Sequence, residues 1–466
     1  AFPVALQVAG VPDLALPDDA WGAFNLAPRE STLLVEQWQQ WLAQASPADR
    51  KLWQARVREE RIEQRGLADF FATHPTLQVP KVLAPITAHY SWSKGCKLLG
   101  LGRAQLELLP ERGMRVDTDA LEETLERCLR ERQPVLLAVA VMGTTEYGTV
   151  DPIDGVVAAR ERFAARGLGF GVHVDAAWGG YLATLFRNED GSLRTRDEVA
   201  SGFTAFPSPD VYAAVAALGD TDSVTVDPHK LGYLPYGAGA FICRDHRAVA
   251  LLSEEADYVF HGDAPKDYLG RYRSLGQFIP EGSKSGAAVA GVYVTHKVLP
   301  LDHAHFGLLP AQTIRSAEAF HARALRFAEE MAGVVQAVVP FPPDSNLVCF
   351  ALNPAGNRDV AVANAFVRQV HDELRCDPRQ PLQNKQFFGS VTTLRPEALG
   401  EEETHRILDA LGLDVATLDS EGADKLMILR HTLMNPYLID RENDISYIDL
   451  YFDHLAGRLR ALRAKG

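Results

Sequence analysis

The chain has 466 residues, which at roughly 150 residues per domain suggests two to three domains. Lys and Arg number 47 against 61 Asp and Glu, a net charge of −14, with 47% hydrophobic and 23% charged residues. That is globular composition and excludes global disorder. The acidic balance argues against nucleic acid and against anionic membrane surfaces, both of which attract clustered Lys and Arg.

Five cysteines (Cys96, Cys128, Cys243, Cys349, Cys376) are scattered, odd in number and never spaced C-x-x-C. Neither a disulfide framework nor a metal site is expected, and a reducing cytoplasm is the simplest compartment. The chain has no apolar run of about 18 residues and no basic-then-apolar start, so neither a membrane span nor a signal peptide is expected.

In chain order, residues 30–45 carry apolar side chains at helical spacing, and Ser46-Pro47 ends that helix. Residues 48–64 read as a charged, solvated helix. From about residue 80 the pattern turns to alternating strands and helices. A short apolar run covers 82–87, and an amphipathic helix covers 117–132 with Asp117 or Thr118 as its cap. The unbroken apolar run 134–142 reads as a buried strand. A helix at 152–166 is closed by Gly167. A strand over 168–174 runs into Asp175, a second over 223–226 into Asp227-Pro228-His229-Lys230, and a third spans 239–243. This rhythm predicts an α/β fold with a mainly parallel sheet covered on both faces, whose ligands bind beyond the carboxyl ends of the strands. After about residue 300, helices at 313–333, 359–374 and 445–465 alternate with strands at 347–352 and 425–429. The expected division is a large domain over 1–300 and a smaller α+β domain over 301–466.

The stretch 223–236, SVTVDPHKLGYLPY, places a His-Lys pair just beyond a strand end. In an apolar setting desolvation favours the neutral form of a lysine, and a neutral amine attacks a carbonyl to form a Schiff base. The stretch 168–181, LGFGVHVDAAWGGY, delivers an acid from a buried strand to the same sheet edge. A carboxylate there can keep a pyridine nitrogen protonated. Ala176 and Ala177 leave room for a flat ring, and Gly179 and Gly180 permit a tight turn.

These stretches, with His89-Tyr90-Ser91-Trp92, Gly143-Thr144-Thr145-Glu146, Glu281-Gly282-Ser283-Lys284 and Leu429-Arg430…Pro436-Tyr437, resemble the group II pyridoxal-phosphate-dependent decarboxylases, and within them the bacterial tyrosine decarboxylases. The resemblance covers nearly the whole chain. It implies the aspartate aminotransferase-like fold (fold type I), pyridoxal 5′-phosphate as cofactor, and a homodimer with the site at the subunit interface. It also implies decarboxylation of an amino acid, with tyrosine leading and DOPA, phenylalanine or glutamate as alternatives. A pyridoxal-dependent aldehyde lyase and a non-catalytic homologue are the competing readings.

By the same resemblance Lys230 would hold the cofactor as a Schiff base and Asp175 would pair with its ring nitrogen. His89 would stack on one ring face and take part in protonation, and Ala177 would pack on the other. His229 and Ser283 would reach the phosphate, Ser283 from the partner subunit. Thr144 or Thr145 would contact cofactor or substrate. Tyr236 would donate the proton to the substrate carbon, with Tyr233 as rival, and Tyr90, Trp92, Trp178 and Tyr181 would wall a dry slot that penalises the substrate carboxylate. Two departures stand out. The family's Gly/Ser/Thr-rich phosphate loop does not precede His89 here, so this stretch alone is expected to bind cofactor weakly. The selectivity segment reads Leu429-Arg430-His431-Thr432-Leu433, where His431 and Thr432 replace smaller residues and would shape the substrate pocket.

Overall fold

A computed structural model describes residues 19–252, 275–281, 284–376, 379, 381, 383, 385–418 and 422–465. Local signals set its elements. Pro28 opens helix α1 (Pro28–Gln44) where a missing N–H is harmless. Ser46 caps the following helix, Pro47–Glu60, by accepting the Asp49 N–H at 3.1 Å. Helix α2 spans Ser91–Leu98. Asp117, one of the two candidate caps, accepts the Asp119 and Ala120 N–H groups at the head of α3 (Thr118–Glu131).

The large sheet contains β1 (Lys81–Pro85), β2 (Leu106–Leu109), β3 (Val135–Val141), β4 (Gly171–Asp175), β5 (Ser223–Val226) and β6 (Ala240–Cys243). Their order is β2-β1-β3-β4-β5-β6, parallel except for β6, which returns antiparallel to β5. The 227–239 connection contains no crossover helix, so β6 cannot be parallel to its neighbour. Helices α3 and α4 (Ile153–Ala164) pack Leu121, Leu125, Val156 and Phe163 into one core with Val172 and Val174. Val82, Ala84, Val139, Cys96 and Trp92 form a smaller core.

The second sheet is antiparallel, in the order β9 (Ser390–Leu394), β10 (Leu426–Thr432), β8 (Leu347–Pro354), β7 (Val335–Val338). Helix α5 (Ala287–Val298) leads into α6 (Leu308–Glu330), while α7 (Val360–Leu374) and α8 (Tyr447–Lys465) pack on the small sheet. Ala311 and Ile314 at the start of α6 lie in the large core, and Phe320 and Phe327 further along lie in the small one. The 300/301 boundary therefore falls just ahead of a helix that both cores share.

Polar contacts pin the two sheets together. The Arg115 guanidinium grips Asp344 through two bonds of 2.8 and 2.6 Å, Ser345 donates to the Gly148 carbonyl at 2.6 Å, and the Tyr147 hydroxyl donates to the Thr393 carbonyl at 3.1 Å. Among the described residues no helix is long and apolar enough to cross a membrane.

Candidate active site

Because β1, β3, β4 and β5 are adjacent and parallel, their carboxyl ends form one edge, and Val141, Asp175 and Thr225 are neighbours across it. Asp175 closes β4. Its Oδ1 accepts the Ala177 N–H at 3.2 Å and its Oδ2 accepts the Trp92 indole N–H at 3.4 Å. The glycines after it serve close approach rather than turn conformation, since neither has a positive φ. A Cβ on Gly179 would lie 2.4 Å from the Met142 carbonyl oxygen, and one on Gly180 would lie 2.8 Å from the Val226 methyls. Gly143, by contrast, has φ +85°, and a Cβ there would meet Trp178 at 2.9 Å.

Lys230 follows β5 on the next strand end. The apolar setting expected for it is not found. Its side chain is 33% exposed and its Nζ lies 3.0 Å from Asp227 Oδ2. His229 approaches the same carboxylate oxygen at 3.6 Å, its Nδ1 lies 2.6 Å from the Ala238 carbonyl, and its ring stacks on Tyr236 with centroids 4.7 Å apart. The turn is tight because Gly232 lets it close. A Cβ there would come 2.4 Å from the Pro228 carbonyl oxygen. Tyr236 is 86% exposed. Its rival Tyr233 is committed, donating to the Met434 carbonyl at 2.8 Å, and burial pushes its phenol up to about 12.

His89 lies after β1 at the head of α2, half-buried, with Nδ1 2.9 Å from the Ser91 hydroxyl and its ring 4.1 Å from that of Tyr90. The aromatic wall expected from Tyr90, Trp92, Trp178 and Tyr181 does not assemble. Tyr181 is buried in the large core with its hydroxyl 2.8 Å from His296 Nε2, the Trp178 indole donates to Asn346 at 2.9 Å, and Tyr90 is exposed beneath Lys94. Thr144 is buried and bonded to Thr149, so it faces the loop interior. Thr145 is exposed, and its carbonyl accepts from Arg430 at 2.6 Å. Ser283 lies outside the described residues.

In the small domain, strand alternation separates the two expected selectivity residues. Thr432 is exposed and shares the Arg430 side of β10. His431 points the other way, into the small-domain core. Its Nε2 lies 2.6 Å from the Tyr451 hydroxyl and its ring 4.6 Å from that of Phe320, and burial pushes it down to about 4. The expectation that His431 lines a substrate pocket is corrected by this orientation. Sequence reasoning also passed over the Trp92–Asp175 bond and the Arg430 grip on Thr145. Neither has a local signal, because each joins residues of different elements 83 and 285 positions apart in the chain.

The donor set fits a pyridine aldehyde. Asp175 closes one strand and Lys230 follows the adjacent parallel one, a small Ala177 lies between them in sequence, and the His229 imidazole shares the Asp227 carboxylate with Lys230. No group of three or more His, Cys, Asp or Glu among the described residues could hold a metal.

Residues 74–199 match the pyridoxal-dependent decarboxylase conserved domain, and residues 319–458 match the tyrosine decarboxylase C-terminal domain. The chain is 33% identical to an L-tyrosine decarboxylase of Levilactobacillus brevis over 391 residues, covering 82% of this chain and 60% of that protein. A second, from Enterococcus faecium, is 33% identical over 77% of this chain and 59% of that protein. The chain thus spans about 60% of the length of the curated relatives it matches. The crystal structure of Oryza sativa TDC with PLP and tryptamine shares the fold with a TM-score of 0.57 at 17% identity, covering 87% of this chain and 67% of that one. The apo structure of mouse CSAD does so with a TM-score of 0.56 at 18% identity and the same coverages.

Proposed function

The chain belongs to the pyridoxal-dependent decarboxylase family, and from that membership we propose that the protein converts L-tyrosine to tyramine and CO2 with pyridoxal 5′-phosphate as cofactor. The observation that carries this reading is that Asp175 closes one strand and Lys230 follows the adjacent parallel strand, in a chain whose small domain matches the tyrosine branch.

When bound, the cofactor supplies an electron sink for the pair left by the departing carboxyl group. The residues of the chain do the rest. Lys230 would hold the cofactor through Nζ, which Asp227 restrains from 3.0 Å away. Asp175 holds a proton on the ring nitrogen. Its two N–H donors, from Ala177 and Trp92, fix the carboxylate for that task. His89 would cover one ring face and Ala177 the other, and His229, with Ser283 of the partner subunit, would take the phosphate. Tyr236 delivers the proton to the substrate carbon; among the described residues nothing ties its hydroxyl, whereas the Tyr233 hydroxyl is already committed. Thr432 and Arg430, on the side of β10 that reaches Thr145, line the substrate end.

The homodimer belongs to the same proposal. Helix α5 leaves Val289, Tyr293, Val294 and Val298 exposed, an apolar face suited to a second subunit. A cytoplasmic setting is supported by five free cysteines.

The test is a screen of the full-length protein with added cofactor against the twenty amino acids and DOPA, read by CO2 release. Tyrosine is expected to dominate, and no release from any aromatic amino acid would defeat the reading. Lys230→Ala is expected to abolish the visible cofactor band and lower turnover by about a thousandfold or more.

A further inference from the structure

Trp92 touches both sides of the cofactor edge at once. Its backbone N–H donates to the His89 carbonyl at 3.1 Å, closing the turn that presents His89 at the head of α2. Its indole N–H crosses the sheet to Asp175 Oδ2 at 3.4 Å. The ring is not free to swing away. It packs in the small apolar core with Val82, Ala84, Cys96 and Val139, and meets the His173 ring at 62° with centroids 5.4 Å apart.

His173 is itself locked. Its Nδ1 lies 2.8 Å from the Ser223 hydroxyl, its Nε2 lies 3.1 Å from the Thr225 hydroxyl, and its ring lies parallel to Phe241. Burial holds it below the usual histidine range, so a neutral ring, with both nitrogens occupied, backs the indole. The chain of contact therefore runs from β5 through His173 to Trp92, and from Trp92 to both Asp175 and His89.

We propose that Trp92 is a positioning residue that ties the His89 turn to the Asp175 carboxylate, so that the two groups meeting the cofactor ring keep a fixed separation. Its indole occupies one lobe of the carboxylate and leaves Asp175 one orientation in which to face a ring nitrogen. A carboxylate held by the Ala177 N–H alone could rotate about its terminal torsion, which is broad for aspartate. This inference rests on the cofactor assignment above.

The test uses the full-length protein. In the apoprotein, the Trp92 indole proton resonance, identified by its loss in Trp92→Phe, is expected to move in Asp175→Asn. An unmoved resonance would overturn the contact. In the holoprotein, Trp92→Phe is expected to weaken pyridoxal phosphate binding about tenfold, the scale of one hydrogen bond to a charged group. In the Asp175→Asn background the same change is expected to cost less than about twofold, because the partner is already altered. Equal losses in both backgrounds would mean that the indole only fills space, and would sink the proposal. If Trp92→Phe folds poorly, a benzothienylalanine in place of Trp92 keeps the ring shape, removes only the N–H and is read in the same way. A wild-type protein that takes up no pyridoxal phosphate would defeat the functional reading, while the indole resonance would still decide the contact.

Discussion

His431 shows how much a single side chain's direction matters. One residue along β10, Arg430 reaches the large domain, whereas His431 turns into a nest of Phe320 and Tyr451. A neutral ring there has a pH signature. Its folded value of about 4 lies below the ordinary 6.5. The unfolded chain therefore binds a proton that the native state refuses, so this contribution is complete above about pH 6.5 and fades as pH falls towards 4. His431→Gln keeps an acceptor for the Tyr451 hydroxyl and removes the titration. On moving from pH 7 to pH 4, wild type should lose about 3 kcal/mol more stability than the variant, measured by urea melts at each pH. Parallel losses would mean that His431 titrates normally. No such penalty is expected in cofactor binding, since the ring points into the small-domain core.

At the scale of elements, the edge works because backbone passes very close to backbone. The turn after β4 lies against the end of β3, and Gly179 is the residue that allows it. Gly179→Ala would press a methyl against the Met142 carbonyl, and a loss of about 2 kcal/mol is expected, with weaker cofactor binding because Asp175 and Ala177 ride on the same turn. Gly219→Ala is the control, since nothing lies within 4 Å of its added Cβ and its φ is ordinary. Thermal melts of the two variants should separate clearly, and equal midpoints would refute the close-approach argument. The glycine pair was visible in the sequence, yet its purpose was not. A turn requirement and a packing requirement leave the same letters, and only the neighbouring strand distinguishes them.

For the whole molecule, the Arg115–Asp344 pair joins the two sheets where the loop 142–150 meets the small domain. Asp344 is buried, also accepts the Val150 N–H at 2.9 Å, and is held above the usual carboxylate range by burial despite its arginine. Arg115→Met would strand a buried carboxylate and is expected to cost about 3 kcal/mol. Asp344→Asn added to Arg115→Met should recover part of that loss, because a neutral amide costs less to leave unpaired. Calorimetry of both variants checks the order; a double variant less stable than the single one would contradict it. This junction also carries Asn346, which receives the Trp178 indole, so separating the domains would loosen the turn after Asp175.

The sequence by itself determined the sheet class, the strand ends at Asp175 and before Lys230, and the family, because each rests on local period or contiguous motif, and it narrowed one helix cap to Asp117 or Thr118. The antiparallel return of β6 and the edge strands β2, β7 and β9 were not legible, since short strands owe their existence to a partner. Only the tertiary structure decided which side chains meet. It sent His431 and Tyr181 into cores, paired Lys230 with Asp227, and brought Trp92 to Asp175. The physical reason is that, apart from the Lys230–Asp227 pair within one turn, these contacts join residues 20 to 115 positions apart. Their energies depend on burial and orientation that no local pattern encodes.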